Sequence, residues 1–162
     1  MASGNTERDL DRVWDLMKKI EFAMLVTRDG AKLRARPMSA YLDRDSNAIY
    51  FLADAGRHKD DEIARDSNVN LSFADAAHQK FVSVTGTAAV SNDRAKIRNL
   101  FSTSAKAWWE SADDPNIRVL KIVPDDAEFW DAPGQVVSYV KMATAAITGK
   151  RADLGDNRKV AM

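Results

Sequence analysis

The chain has 162 residues, enough for one domain with a real core. Hydrophobic residues make up 45% and charged residues 30%, and 24 Lys plus Arg balance 24 Asp plus Glu; neither bulk basicity toward nucleic acid nor an acidic, disordered composition is present. Cysteine is absent, which removes disulfides, thiolate nucleophiles and Cys-based metal sites together.

Residues 1–5 are small and polar and predict a disordered N-terminus. Leu10, Val13, Trp14, Met17 and Ile20 then recur at three- and four-residue spacing, one stripe of an amphipathic helix that starts near Thr6. Residues 22–27 form a compact apolar run, Arg28-Asp29-Gly30 a turn, and residues 32–42 a second strand, together a hairpin signal. A turn over 43–47 leads to a strand over 48–53, then to a corner at Gly56–Lys59. Residues 60–66 read as a short helix with Ile63 facing in, and Asp60, Asp61 and Glu62 suit its first turn.

Val69, Leu71 and Phe73 alternate along a half-buried strand. Residues 81–90 form another, with Gly86 in mid-strand predicting a bulge or a close backbone contact. Residues 92–101 are helical, and residues 105–111 predict a second helix carrying Trp108 and Trp109. Residues 117–123 alternate as an edge-type strand that Pro124 interrupts before 127–130. A strand end and helix over 136–147 and a mobile tail over 148–162 complete the chain. About six strands in hairpin succession predict an antiparallel barrel or α+β fold, with one domain over 6–147.

No apolar run approaches the roughly 20 residues that span a membrane, and a signal peptide's apolar core is missing, which predicts a cytoplasmic location. The inventory for acid–base or nucleophilic chemistry is thin. His58 and His78 are the only histidines, and His78 reads as a solvated loop residue. No metal-ligand spacing is present. The cations are more informative. Arg34 and Arg36 lie two apart and share a strand face, and Arg57, His58 and Lys59 follow a strand end. These clusters suit a bound phosphate and equally two solvated basic patches. Four tryptophans are generous for this length; Trp108 and Trp109 either share one core or split between core and a partner or planar ligand.

The order of Arg36-Pro37-Met38, the segment 51–59, Val84-Thr85-Gly86-Thr87-Ala88, Trp108-Trp109 with Asp114-Pro115, and Ala127–Asp131 resembles the pyridoxamine 5′-phosphate oxidase-related flavoproteins, and most of all their general stress protein 26 branch. The resemblance covers residues 8–133. It implies a mainly β, antiparallel split β-barrel with an N-terminal helix and peripheral helices, binding FMN at the interface of a homodimer. It further implies that Arg34, Arg36, Pro37 and Met38 line the isoalloxazine side and contribute cations. Leu52, Ala53, Arg57, His58 and Lys59 then form the strand end that grips the phosphate. Lys59 takes the place of the phosphate-gripping lysine, His58 stands where the oxidases carry an arginine, and Arg57 where they carry a small hydroxyl residue. Ser83 is implied as a polar contact, and Trp108-Trp109 as the segment a second subunit brings to the flavin, with Trp109 the outward member. The oxidases' C-terminal arginine and histidine have no counterpart here, so oxidation of pyridoxamine phosphate is not expected. What remains is a flavin-dependent oxidoreductase on a small molecule, with NADH or NADPH as donor. The alternatives are a non-catalytic flavin-binding stress-response sensor, or a deazaflavin- or haem-binding member of the fold. A barrel for single-stranded nucleic acid would use the same arginines and aromatics, but neutral net charge argues against it.

Overall fold

The computed structural model describes residues 2–56, 59–133, 135–152 and 155–162, with side chains for all of these except 2, 3, 5, 59, 135–137 and 156. Helix α1 (Ala2–Ile20) lays Val13, Trp14, Leu16 and Met17 into the core, the face its spacing predicts. It begins four residues before Thr6, so the expectation of an unstructured start at 1–5 is corrected from Ala2 onward. Glu21 takes a left-handed φ of 71° and turns the chain into strand β1 (Phe22–Asp29). Strand β2 (Lys32–Ser39) returns antiparallel through Gly30, whose φ of 61° supplies the turn's left-handed residue.

The short β3 (Tyr41–Asp43) and then β4 (Ala48–Asp54) follow. β4 is an unbroken apolar run because both of its faces are covered. Ile49, Phe51 and Ala53 enter the main core, whereas Ala48, Tyr50 and Leu52 enter a second, smaller one. Helix α2 (Lys59–Arg65) precedes β5 (Asn68–Asp75) and β6 (Lys80–Ser91). Helix α3 (Arg94–Leu100), capped by the Asp93 carboxylate, buries Ile97 in the second core.

Strand β7 (Ile117–Asp131) runs unbroken through Pro124. The register shifts between Thr85 and Gly86, and Gly86 faces Pro124. A Cβ on Gly86 would lie 2.5 Å from the Val123 carbonyl oxygen, so the bulge needs glycine there. All strand pairs are antiparallel, in the order β2-β1-β5-β6-β7-β4-β3. This is the split-barrel architecture.

Other expectations fail at the periphery. Residues 105–111 make no α-helix: only a three-residue 3₁₀ turn, Ala105–Ala107, forms before Trp108. The tail over 148–162 is not wholly irregular, because β8 (Asp156–Ala161) pairs with the second half of β7. Lys, Arg and Asp dilute that strand's apolar signal, and an edge position needs only one covered face; Val160 supplies it. Between β7 and β8, helix α4 (Gln135–Thr148) is the predicted helix, and it also takes in the residues expected as a strand end. Its Ser138 is buried and donates to the Gln79 side-chain oxygen at 2.6 Å. Among the described residues no helix is long and apolar enough to cross a membrane.

Candidate functional site

Cross-strand register sets the direction of the hairpin's cations. Arg34 faces Thr27, Arg36 faces Leu25 and Met38 faces Ala23, so all three share the inner face of β1 and β2. Pro37 and Met24 face each other on the opposite side. Arg36 is largely covered, and both terminal nitrogens of its guanidinium are engaged. Nη1 donates to the Thr27 hydroxyl at 2.7 Å, and Nη2 donates to both Glu62 carboxylate oxygens at 2.7 and 2.8 Å. Thr27 in turn donates to Glu62. Glu62 is only 5% exposed. Burial pushes its carboxyl up, but the hydrogen bonds from Thr27 and Arg36 and the guanidinium charge hold it below the usual carboxylate range. Arg34 pairs with Asp29 at 3.0 Å in a more exposed setting. Met38 packs half-buried against the main core.

The strand end before α2 is tight. Leu52 and Ala53 are buried, so any contact they make with a ligand would come from the backbone. Gly56 has a φ of 76°, the left-handed conformation that lets the chain turn toward α2. Arg57 and His58 lie outside the described residues; Lys59 opens α2, and its side chain is likewise outside them. Next to it, Asp60 Oδ1 is buried with no hydrogen-bond donor among the described residues. A carboxylate left in this state can accept from a hydroxyl-bearing ligand.

The tryptophans reverse the expected roles. Trp109 packs on the second core and donates its indole N–H to Asp54 at 2.6 Å, whereas Trp108 is 78% exposed. The reason is the missing helix. Helical spacing would carry Trp108 on from Phe101 and Ala105, but the 3₁₀ turn stops at Ala107 and redirects both indoles. The Trp109–Asp54 bond brings the tryptophan segment to the end of β4, close in sequence to the turn into α2.

Ser83 lies elsewhere, on the outer sheet face. It accepts from the Asn70 amide at 2.9 Å, and Ser72 donates to the same Asn70 at 3.0 Å. Ser72, Phe81, Ser83 and Trp130 line a hollow of about 430 Å³. A second hollow of about 500 Å³ is lined by Ser83, Thr85, Asp126, Glu128 and Lys159. Phe81 and Trp130 are direct cross-strand partners. Aromatic walls with hydroxyls between them suit a planar ring with a polar rim.

Sequence reasoning missed Thr27, Glu62, Asp54 and Phe81 as site residues. For Thr27 the signal was present: Ala23, Leu25 and Thr27 alternate onto one buried face, and a hydroxyl there demands a partner. Glu62 was hidden among three consecutive acids.

The sequence model described as "Pyridoxamine 5'-phosphate oxidase like" matches residues 8–153. The chain belongs to the pyridoxamine 5′-phosphate oxidase-like family. Two relatives are each 27% identical. One is the protein bli-3 of Neurospora crassa, aligned over 98% of this chain and 84% of its own. The other is general stress protein 26 of Bacillus subtilis, over 75% and 87%. Among solved structures, the general stress FMN/FAD binding protein of Xanthomonas citri is 28% identical with a TM-score of 0.65, covering 74% of this chain and 85% of that one. Family members of the general stress protein 26 kind are therefore similar to this chain in both sequence and fold.

Proposed function

We propose that this chain binds FMN at the interface of a cytoplasmic homodimer and serves as a flavin-dependent oxidoreductase on a small molecule other than pyridoxamine phosphate. The observation that carries the reading is the convergence at the β4–α2 turn. The Trp109–Asp54 bond ties the tryptophan segment to the end of β4, and the Glu62–Arg36 contact ties the cationic strand to α2. These two contacts support the reading, linking Trp109 and Arg36 to Asp54 and Glu62, to which the family resemblance assigned no role. Membership in the family and the FMN/FAD binding of the Xanthomonas protein support the choice of ligand.

The donor set suits such a cofactor. Arg57, His58 and Lys59 would hold the phosphate, and the Asp60 oxygen without a donor would accept from a ribityl hydroxyl. The exposed Trp108 would lie against the ring of the opposite subunit. A bound flavin supplies the electron transfer; the protein binds, orients and shields it.

Lys59→Ala tests the site. A charge-assisted contact is worth about 1.5–3 kcal/mol, so FMN affinity should fall about tenfold to hundredfold while riboflavin affinity stays. Equal losses would make Lys59 structural. Reduction of bound flavin by NADH or NADPH separates an oxidoreductase from a binding or sensing module.

A further inference from the structure

Helix α4 presents its apolar side to solvent. Ser138, Lys141 and Ala145 recur at three- and four-residue spacing and form the side it turns inward, with Ser138 tied to Gln79 at the turn between β5 and β6. The opposite stripe carries Tyr139, Val140, Met142, Ala143, Ala146 and Ile147, at the spacing of one continuous helix face. All six are exposed, Tyr139 by 59%, Val140 by 60% and Ile147 by 87%. A helix that covers the core of its own chain turns such a stripe inward, as α1 does. The hydroxyls of Thr144 and Thr148 donate back to the carbonyls of Val140 and Thr144, at 3.0 and 2.8 Å, so this exposed side offers little to water.

We infer that the outward stripe of α4 is a subunit interface, covered by a second copy of this chain. This rests on the homodimer of the proposed function and assigns to it an element that neither the family resemblance nor the flavin reading names. Area supports a second copy. Phe22, Met24, Phe81 and Trp130 of the outer sheet face are only partly exposed. At about 150–250 Å² for a large apolar side chain, they offer on the order of 400 Å², about half of the roughly 800 Å² that each partner buries in a stable interface. Tyr139, Val140, Met142 and Ile147 offer a similar area on the same basis. The two patches adjoin, because Ser138 bonds Gln79 and Phe81 follows on β6 with Trp130 as its cross-strand partner. A two-fold dimer sets the same patch of each subunit against the other, so one contact covers both. Charge points the same way. Lys141 is the only charged residue of α4 and lies on the inward side, whereas a helix lying on a membrane carries cations along its polar face.

The test uses the full chain as purified, at micromolar concentration. Val140→Asp with Ile147→Asp puts two carboxylates of each subunit into the contact. Sedimentation should show the dimer weakened about a hundredfold or more, with monomer as the main species. Both positions are exposed within one chain, so the far-UV circular dichroism of the folded protein should hold. Val140→Lys with Ile147→Lys, whose cations suit the last turns of a helix, should do the same if the acidic pair unwinds α4. The chain has no cysteine, so Ile147→Cys supplies a single thiol. Maleimide should label it about tenfold more slowly in the dimer than in protein diluted to monomer, because an interface core excludes solvent. The labelling carries the test if neither paired variant folds.

Dissociation of the paired variants with the fold retained, together with a shielded thiol at position 147, supports the inference. A dimer as tight as wild type in both paired variants, or unhindered labelling of Ile147→Cys at dimer concentration, would overturn it and leave the homodimer standing on its outer sheet face. Binding of the wild type to vesicles of phosphatidylcholine and phosphatidylserine, lost in the paired variants, would make the stripe a membrane face and overturn it as well. A wild type that sediments as a monomer removes the homodimer and this inference with it.

Discussion

Two adjacent indoles take opposite surroundings here. Trp109 is held by Asp54 and the second core, while Trp108 is exposed. Their chemistry is identical, so the difference comes from backbone direction after the 3₁₀ turn. Helical periodicity assigned Trp109 outward, and that assignment fails because only three residues, Ala105–Ala107, are helical. If a flavin ring is shared between subunits, Trp108 is the indole free to stack on it and quench its emission. Trp108→Leu should therefore raise the fluorescence of bound flavin without dissociating the dimer. Unchanged fluorescence in Trp108→Leu would place that indole away from the ring. Trp109→Leu should instead lower thermal stability by about 1–3 kcal/mol through loss of the bond to Asp54. A Trp109→Leu variant as stable as wild type would show that bond to be dispensable.

At the scale of elements, the core strands and helices α1 to α3 were legible, whereas β8 and the turn at Ala105–Ala107 were not. Alternation along β5 and the apolar run of β4 reflect faces buried in large cores, and burial is what periodicity reports. β8 and the 3₁₀ turn are set by long-range contacts with β7 and the second core, which leave no local pattern. The Gly86 bulge was legible because an isolated mid-strand glycine has few other uses. Its partner Pro124 was misread as a break, whereas the bulge absorbs the missing ladder hydrogen bond. Gly86→Ala should cost on the order of 1–3 kcal/mol, since backbone atoms of Val123 and Pro124 leave no room for a methyl group. A denaturant midpoint equal to wild type would contradict that.

The N-terminal helix is fastened to the barrel by charge as well as by its apolar face. Asp131 at the end of β7 accepts from Arg12 of α1 and from Lys80 of β6, and Arg158 of β8 bonds Asp9 of α1 at 3.1 Å. The hydrogen bond from Arg12, with that from Lys80 and both positive charges, holds the Asp131 carboxyl below its usual range although burial pushes it up. A depressed carboxyl stabilises the fold above the unfolded pKa, about 3.9, and the contribution disappears as pH falls through the folded value. The stability gap between wild type and Asp131→Asn should therefore be largest near neutrality and close as pH drops below about 4. A gap that widens in acid would contradict this sign.

For the whole molecule, the outer sheet face poses a packing question. Phe22, Met24, Phe81 and Trp130 are all exposed, and cross-strand register puts Met24 beside Ser72, and Phe81 beside Ala74 and Trp130. Contiguous exposed apolar surface of this kind marks an interaction face. A second copy of the chain would cover it, so sedimentation at micromolar concentration should give a dimer; a monomer with flavin bound would contradict the proposed interface. Family and fold were legible in the sequence, because ordered motifs survive where single residues are ambiguous. The internal pairing of Arg36 was not, since a cation's partner is a matter of three-dimensional neighbours. The most direct test of the central claim is the absorption spectrum of the natively purified protein together with the mass of whatever it releases on denaturation. Flavin bands are expected, with the mass of FMN at about one per chain. A colourless protein that also fails to take up added FMN would contradict it.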